Sequence, residues 1–185
     1  QGEATGFDAD KKILALADGT RLPYDRLILS PGIDFMYDSL PGLASADARN
    51  KVLAAWKAGP ETVALRNQLT AMKDGGVFAI HIPKAPFRCP PGPYERACQV
   101  AWYFQQAKPK SKVLILDSNE DVVSKKGLFM AAWNGQFKSV VEYRNNQEIQ
   151  DVDASTNTLK MTFGEDLRAD VLNVLPPMRA GTIAT

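Results

Sequence analysis

Three observations in the sequence predict an α/β protein with a Rossmann-like, doubly wound nucleotide-binding fold. Short apolar strands alternate with helices from Val77 to Tyr143, the order of a parallel sheet wrapped by helices. A hairpin then precedes one more apolar strand, so a small β-meander interrupts the alternation. A ten-residue pattern also occurs twice, at Leu22–Pro31 and at Leu167–Pro176.

The elements follow in chain order. Lys11 to Leu16 reads as a strand, and Asp18-Gly19 is a hairpin turn signal. Asp25 to Ser30 is short, apolar and stopped by Pro31-Gly32, which predicts a buried strand. A connection from Asp34 to Gly59 carries a short helix near Asp47–Trp56. Pro60 stands where a helix accepts proline, in its first turn; Val63, Leu65, Leu69 and Met72 give the helical spacing, and Asp74-Gly75-Gly76 ends it. Val77–Ile82 and Lys112–Leu116 are buried strands, separated by a proline-rich loop and a helix opened by Pro93. That helix lines one face with Ala97, Val100, Ala101 and Phe104. A helix over Glu120–Trp133, a strand at Ser139–Tyr143, a hairpin of Glu148–Val152 with Thr158–Phe163, and a closing strand at Asp170–Leu175 complete the reading.

The repeat sets the domain plan. Leu22 matches Leu167, Asp25 matches Asp170, Leu27 matches Leu172 and Pro31 matches Pro176, all at one offset. Each copy follows a turn signal, Asp18-Gly19 or Gly164-Glu165. Two domains of one type are therefore expected. Residues 1–33 are the closing β part of the first, 34–59 a connection, 60–175 the second, and 176–185 the start of a return to the first. The chain reads as an internal fragment, with the opening strand of the first domain before Gln1.

Composition narrows the function. Of 185 residues, 45% are hydrophobic and 23% charged, an ordinary globular balance. The net charge of +1 makes no field for nucleic acid or an anionic membrane. No apolar run approaches the ~20 residues that cross a bilayer. Two cysteines and one histidine make neither a disulfide framework nor a structural zinc site.

The chemistry concentrates at Lys84–Glu95. The first strand-to-helix loop of a Rossmann unit normally carries glycines, whose N–H groups grip a pyrophosphate. Here Pro86, Pro90, Pro91 and Pro93 have no N–H, and Glu95 would repel a diphosphate. The corner predicts no binding of NAD(P)H. Cys89 lies just before the helix, where the dipole and Arg88 favour thiolate. From position alone, a redox cysteine and an inert buried one are equally good readings. Glu95 either stabilises the helix dipole or moves a proton near Cys89. Cys98 reads as a packed side chain, with a Cys89–Cys98 disulfide not expected. Asp117 reads as an N-cap or turn residue, His81 as a satisfied core histidine, and Trp56, Trp102 and Trp133 as core or interface residues.

Tyr24-Asp25-x-Leu27-x-x-Ser30-Pro31-Gly32 resembles the closing strand of the FAD domain in the pyridine-nucleotide-disulfide-reductase superfamily, with Ser-Pro-Gly for the usual Ala-Thr-Gly. Within it, Ala54–Pro60, the Pro86–Ala97 string with Cys89-Pro90-Pro91-Gly92-Pro93-Tyr94-Glu95, and Leu175–Gly181 resemble the flavoprotein subunit of flavocytochrome c sulfide dehydrogenase. That resemblance implies FAD in the full-length protein, with Ser30, Pro31 and Gly32 along it. It implies sulfide as substrate, Cys89 as one of two redox cysteines and Glu95 as the base. The second cysteine and the glycine-rich FAD loop fall outside these 185 residues, so the fragment itself is expected to be inactive and to hold no cofactor. A cytochrome c subunit is the implied partner and the periplasm the implied location. A sulfide:quinone oxidoreductase and a non-catalytic nucleotide-fold scaffold are the alternatives.

Overall fold

A computed structural model describes residues 2–184. In chain order its strands and helices are β1 (Ala4–Asp8), β2 (Ile13–Leu16), β3 (Arg21–Pro23), β4 (Ile33–Phe35), α1 (Ala46–Lys51), α2 (Pro60–Ala71), β5 (Val77–Ile82), α3 (Gly92–Ala107), β6 (Lys112–Asp117), α4 (Lys126–Asn134), β7 (Val141–Arg144), β8 (Ile149–Asp153), β9 (Thr158–Met161), β10 (Leu167–Arg168), β11 (Val171–Val174) and β12 (Met178–Ala180). Contacts divide the chain into two compact units, one of residues up to 35 together with those from 178, the other of residues 36–177.

The larger unit is built on a four-stranded sheet in the order β11-β5-β6-β7, with every pair parallel. Strands buried on both faces read as unbroken apolar runs, which is why Val-Phe-Ala-Ile-His-Ile and Lys-Val-Leu-Ile-Leu take the centre. Side chains alternate between faces. On one face Ala79, Leu114, Leu116, Leu172 and Val174 join Val152, Leu159 and Met161 of an antiparallel meander, β8-β9-β10, together with Leu40, Leu43 and Val52 from the segment before α2. The helices take the other face: α3 buries Tyr94, Ala97, Val100, Ala101 and Phe104 at helical spacing. Leu53 makes a parallel bridge to Asn173 at the free edge of β11.

The smaller unit holds a second antiparallel meander, β1-β2-β3, and the pair β4–β12. The two meanders match residue for residue. Phe7 faces Leu14 as Val152 faces Leu159, and Leu14 faces Leu22 as Leu159 faces Leu167. The register slips between Ala4 and Gly6 in one copy and between Ile149 and Asp151 in the other. Positive φ recurs at Lys12 (52°) and Asn157 (53°), and at Gly19 (86°) and Gly164 (85°). The amide of Tyr24 donates to Lys12 O, and that of Ala169 to Asn157 O. The repeat read from ten residues thus extends back through the whole meander, at the same offset.

Four expectations are corrected. Asp25–Ser30 is not a strand, and Ile28 is 90% exposed. A strand needs a neighbour to take its backbone hydrogen bonds, and no described residue pairs with this segment. The helix expected over Asp47–Trp56 stops at Lys51, because Val52–Ala54 is extended to meet β11. The helix expected from Glu120 begins at Lys126, after Lys125 in the left-handed region (φ 53°). The strand expected at Ser139 begins at Val141. Among the described residues, no helix is long and apolar enough to cross a membrane.

A strand-to-helix corner as the candidate functional site

The proline-rich loop lies where the sequence places it, between the end of β5 and the start of α3. It is built from several directions. Asn119 accepts the Ala85 N–H at 2.9 Å and donates to Pro83 O at 3.1 Å. Phe87 is buried, whereas Arg88, Cys89 and Pro90 are exposed. Cys89 has φ 58°, a left-handed conformation that costs a non-glycine residue about 1–2 kcal/mol. Neighbours hold it there. The Cys89 carbonyl accepts the Gly92 N–H at 2.9 Å, and the Trp56 indole donates to the Arg88 carbonyl at 3.2 Å.

Trp56 also explains Gly92. A Cβ at position 92 would stand 2.6 Å from Trp56 Cη2 and 3.2 Å from Cys89 Sγ. The indole and the thiol therefore occupy the space in front of the helix N-terminus, where a Rossmann unit seats its pyrophosphate. The backbone offers little there. Pro90, Pro91 and Pro93 have no N–H, the Gly92 N–H goes to Cys89, and the Glu95 N–H goes to Pro91 O at 3.0 Å.

Arg96 backs the indole, its guanidinium 5.1 Å from the ring centroid. Its Nη atoms reach the carbonyls of Ala54 and Ala55 and Oδ1 of Asn173. Asn173 is fully buried and donates to Leu53 O and Ala54 O. Ala55, at φ 48°, gives its N–H to Glu61. One run of polar contacts thus leads from β11 through Arg96 to the tryptophan over the Cys89 loop.

The position that holds ribose in a dinucleotide site is Asp117, at the end of β6. Asp117 is fully buried and takes part in no helix cap, since α4 begins nine residues on. Its Oδ2 accepts the hydroxyls of Tyr94 (2.7 Å) and Tyr143 (3.1 Å), and its Oδ1 accepts the N–H (3.0 Å) and Nδ2 (2.7 Å) of Asn119. Burial, and after it the bond to Asp117, pushes the Tyr94 phenol well above its ordinary pKa; burial and the charge of Asp117 do the same to Tyr143. The carboxylate is thus spent inside the protein.

The remaining predicted residues are placed as follows. Glu95 is exposed in the first turn of α3, on the same corner as Cys89. Cys98, half-buried in the next turn, has its thiol pKa raised by burial, and both cysteines are free. His81 is buried, with Nε2 3.0 Å from Ser118 Oγ and no partner for Nδ1, so it is only half satisfied. In the other unit, Ser30, Pro31 and Gly32 are exposed, and Gly32 O accepts the Gly181 N–H at 3.3 Å. Sequence reasoning missed Trp56 and Arg96 as parts of the corner. The one readable signal was a glycine among prolines, which marks a close approach.

The family model for the flavoprotein chain of sulfide dehydrogenase (flavocytochrome c), central part, matches residues 62–176, more than half of the chain. Among solved structures, the sulfide:quinone oxidoreductase from the hyperthermophilic bacterium Aquifex aeolicus is similar at TM-score 0.73 and 13% identity, covering 98% of this chain and 43% of that one. The putidaredoxin reductase–putidaredoxin complex is similar at TM-score 0.65 and 18% identity, covering 95% and 40%. A ferredoxin reductase from Rhodopseudomonas palustris matches at TM-score 0.65 and 14% identity, covering 96% and 41%. At these identities the likeness is one of fold, and the chain spans less than half the length of each of these structures. The family match, which takes in β5, the Cys89 corner, Asp117 and β11, shows that this chain belongs to the family of sulfide dehydrogenase (flavocytochrome c) flavoprotein chains.

Proposed function

We propose that the full-length protein is an FAD-dependent sulfide dehydrogenase, that Cys89 receives the sulfur and that Glu95 takes the proton. The observation that carries this reading is the corner itself. An exposed thiol is held in a left-handed backbone conformation at a helix N-terminus, and strain of this kind collects at functional sites. In the oxidised protein Cys89 is half of a disulfide, its partner cysteine outside these 185 residues. Hydrosulfide attacks the Cys89 sulfur, the S–S bond breaks, a persulfide remains on Cys89 and the proton passes to Glu95. Arg88 and the α3 N-terminus offset the negative charge that gathers there.

Ser30, Pro31 and Gly32 would hold FAD. They suit the role because all three are exposed. When bound, FAD supplies the two-electron acceptor. NAD(P)H has no place in this scheme, since proline, indole and thiol fill the phosphate seat and Asp117 is already bonded. The family supports a cytochrome c subunit as the electron acceptor, and a periplasmic location follows from that pairing. A quinone acceptor is the competing reading.

The test is sulfide-dependent reduction of cytochrome c, and separately of a soluble quinone, by the full-length protein. Cys89→Ser abolishes turnover with either acceptor, and Glu95→Gln slows it on the order of 10²-fold with a changed pH profile. Unchanged rates in Cys89→Ser would remove Cys89 from the chemistry. Faster turnover with quinone than with cytochrome c would favour the second acceptor.

A further inference from the structure

The groove between α2 and α3 encloses about 600 Å³ and is lined by Ala55, Thr62, Leu65, Arg66, Leu69, Thr70, Arg96, Gln99, Val100 and Tyr103. Its floor is apolar, from Leu65, Leu69 and Val100. Its lining carries two guanidinium groups and no carboxylate. Neither Arg66 nor Arg96 lies in an ion pair among the described residues. Of the acids near the two arginines in sequence, Glu61 is engaged by the Ala55 N–H at 2.8 Å, and Glu95 is exposed and outside the lining.

Arg96 is the unusual member. A guanidinium has five N–H donors. Ala54 O, Ala55 O and Asn173 Oδ1 take three of them, leaving Nε–H and one Nη2–H, on adjacent nitrogens, without a hydrogen-bond partner among the described residues. Burial lowers the Arg96 pKa, so the group is short of water as well as of a counter-charge. Two parallel donors on one edge of a guanidinium match the two oxygens of a carboxylate. The size falls within the roughly 300–1,000 Å³ of small-molecule sites, with the usual mixture of apolar walls and a few placed polar groups.

We propose that this groove binds a small organic carboxylate with an apolar body, its head on Arg96 and Arg66 and its tail along Leu65, Leu69 and Val100. The groove shares Arg96 with the network behind the Cys89 corner, but the proposal does not rest on the sulfide chemistry proposed there.

Octanoate is the probe, titrated into the protein by calorimetry and by amide chemical shifts. It is expected to bind, with shifts confined to α2 and α3. Acetate, which lacks the tail, and octanol, which lacks the charge, each bind at least about tenfold more weakly. Arg66 is exposed and its side chain makes no hydrogen bond or ion pair among the described residues, so Arg66→Gln keeps the fold and weakens octanoate about tenfold. Arg96→Lys keeps the charge, loses the fork and weakens it as much. Equal affinity for octanoate and octanol, an unaltered affinity in Arg66→Gln, or shifts lying outside the two helices would each overturn the proposal.

Discussion

His81 sits in a buried strand with one ring nitrogen bonded and the other without a hydrogen-bond partner among the described residues. Ser118 Oγ donates to Gln147 O at 3.2 Å, so it accepts from His81 Nε2–H, and the bare Nδ1 is left to titrate. Protonation there would bury a charge, and burial lowers the pKa from 6.5 to about 4. Between those values the unfolded chain binds a proton that the folded one refuses. Stability is therefore full above pH 6.5 and is lost as pH falls towards 4, by about 3 kcal/mol. Denaturant midpoints from pH 7.5 to 4.5 measure this, and His81→Asn, which does not titrate, should flatten that part of the profile. Gly92 gives a second prediction at the same scale. Gly92→Ala drives a methyl into the Trp56 ring and should cost about 1–3 kcal/mol, read from the shift in the denaturation midpoint. Both residues stand out in the sequence, one as the only histidine and one as a glycine among prolines. Their partners do not. Trp56 and Ser118 lie in distant segments, and nothing in the spacing of a sequence says which side chains meet.

Strands β5, β6 and β11 and helix α3 were legible because their apolar pattern is continuous or periodic and their ends are marked by proline, glycine or aspartate. The failures have physical causes as clear as the successes. Asp25–Ser30 carries the apolar pattern of its twin Asp170–Leu175, but only the twin finds a neighbour, β5, to bond with. Local pattern proposes a strand and pairing decides it. The matched meanders show the opposite case, in which two different sequences reach one register through the same turns. Gly19 and Gly164 each hold a φ near 85°, where an L side chain is strained. Gly19→Ala and Gly164→Ala should each destabilise their own meander by about 1 kcal/mol. Amide hydrogen exchange separates the two: each variant should speed exchange in its own meander and leave the other unchanged.

For the molecule as a whole, the sequence indicated two domains of one type, and the structure contains two units carrying the same meander. Among the described residues, only the larger unit carries a parallel sheet of the kind a nucleotide fold requires. No glycine-rich loop of the kind that grips a diphosphate occurs in these 185 residues, and Ser30, Pro31 and Gly32 offer only backbone groups and one hydroxyl. We therefore expect this chain to bind FAD weakly, and a chain that also carries such a loop to bind it fully. A stoichiometric flavin absorbance in the purified 185-residue chain would contradict this. Calorimetry with NADH should give no heat of binding for either chain. The site was legible in outline, as a thiol in a corner that lacks donors. The indole that fills the seat was not, because it arrives from the segment before α2.

That indole bears on how this chain could change. Reopening the seat for a nicotinamide coenzyme would mean clearing Trp56, exchanging Pro90, Pro91 and Pro93 for residues with amides, and replacing the acid at position 95. Removing Trp56 alone would free the Arg88 carbonyl and take the ring from beside Arg96 while supplying no phosphate donor. Loss of Trp56 thus costs these contacts before any coenzyme is gained, and seating a pyridine nucleotide there takes several substitutions together.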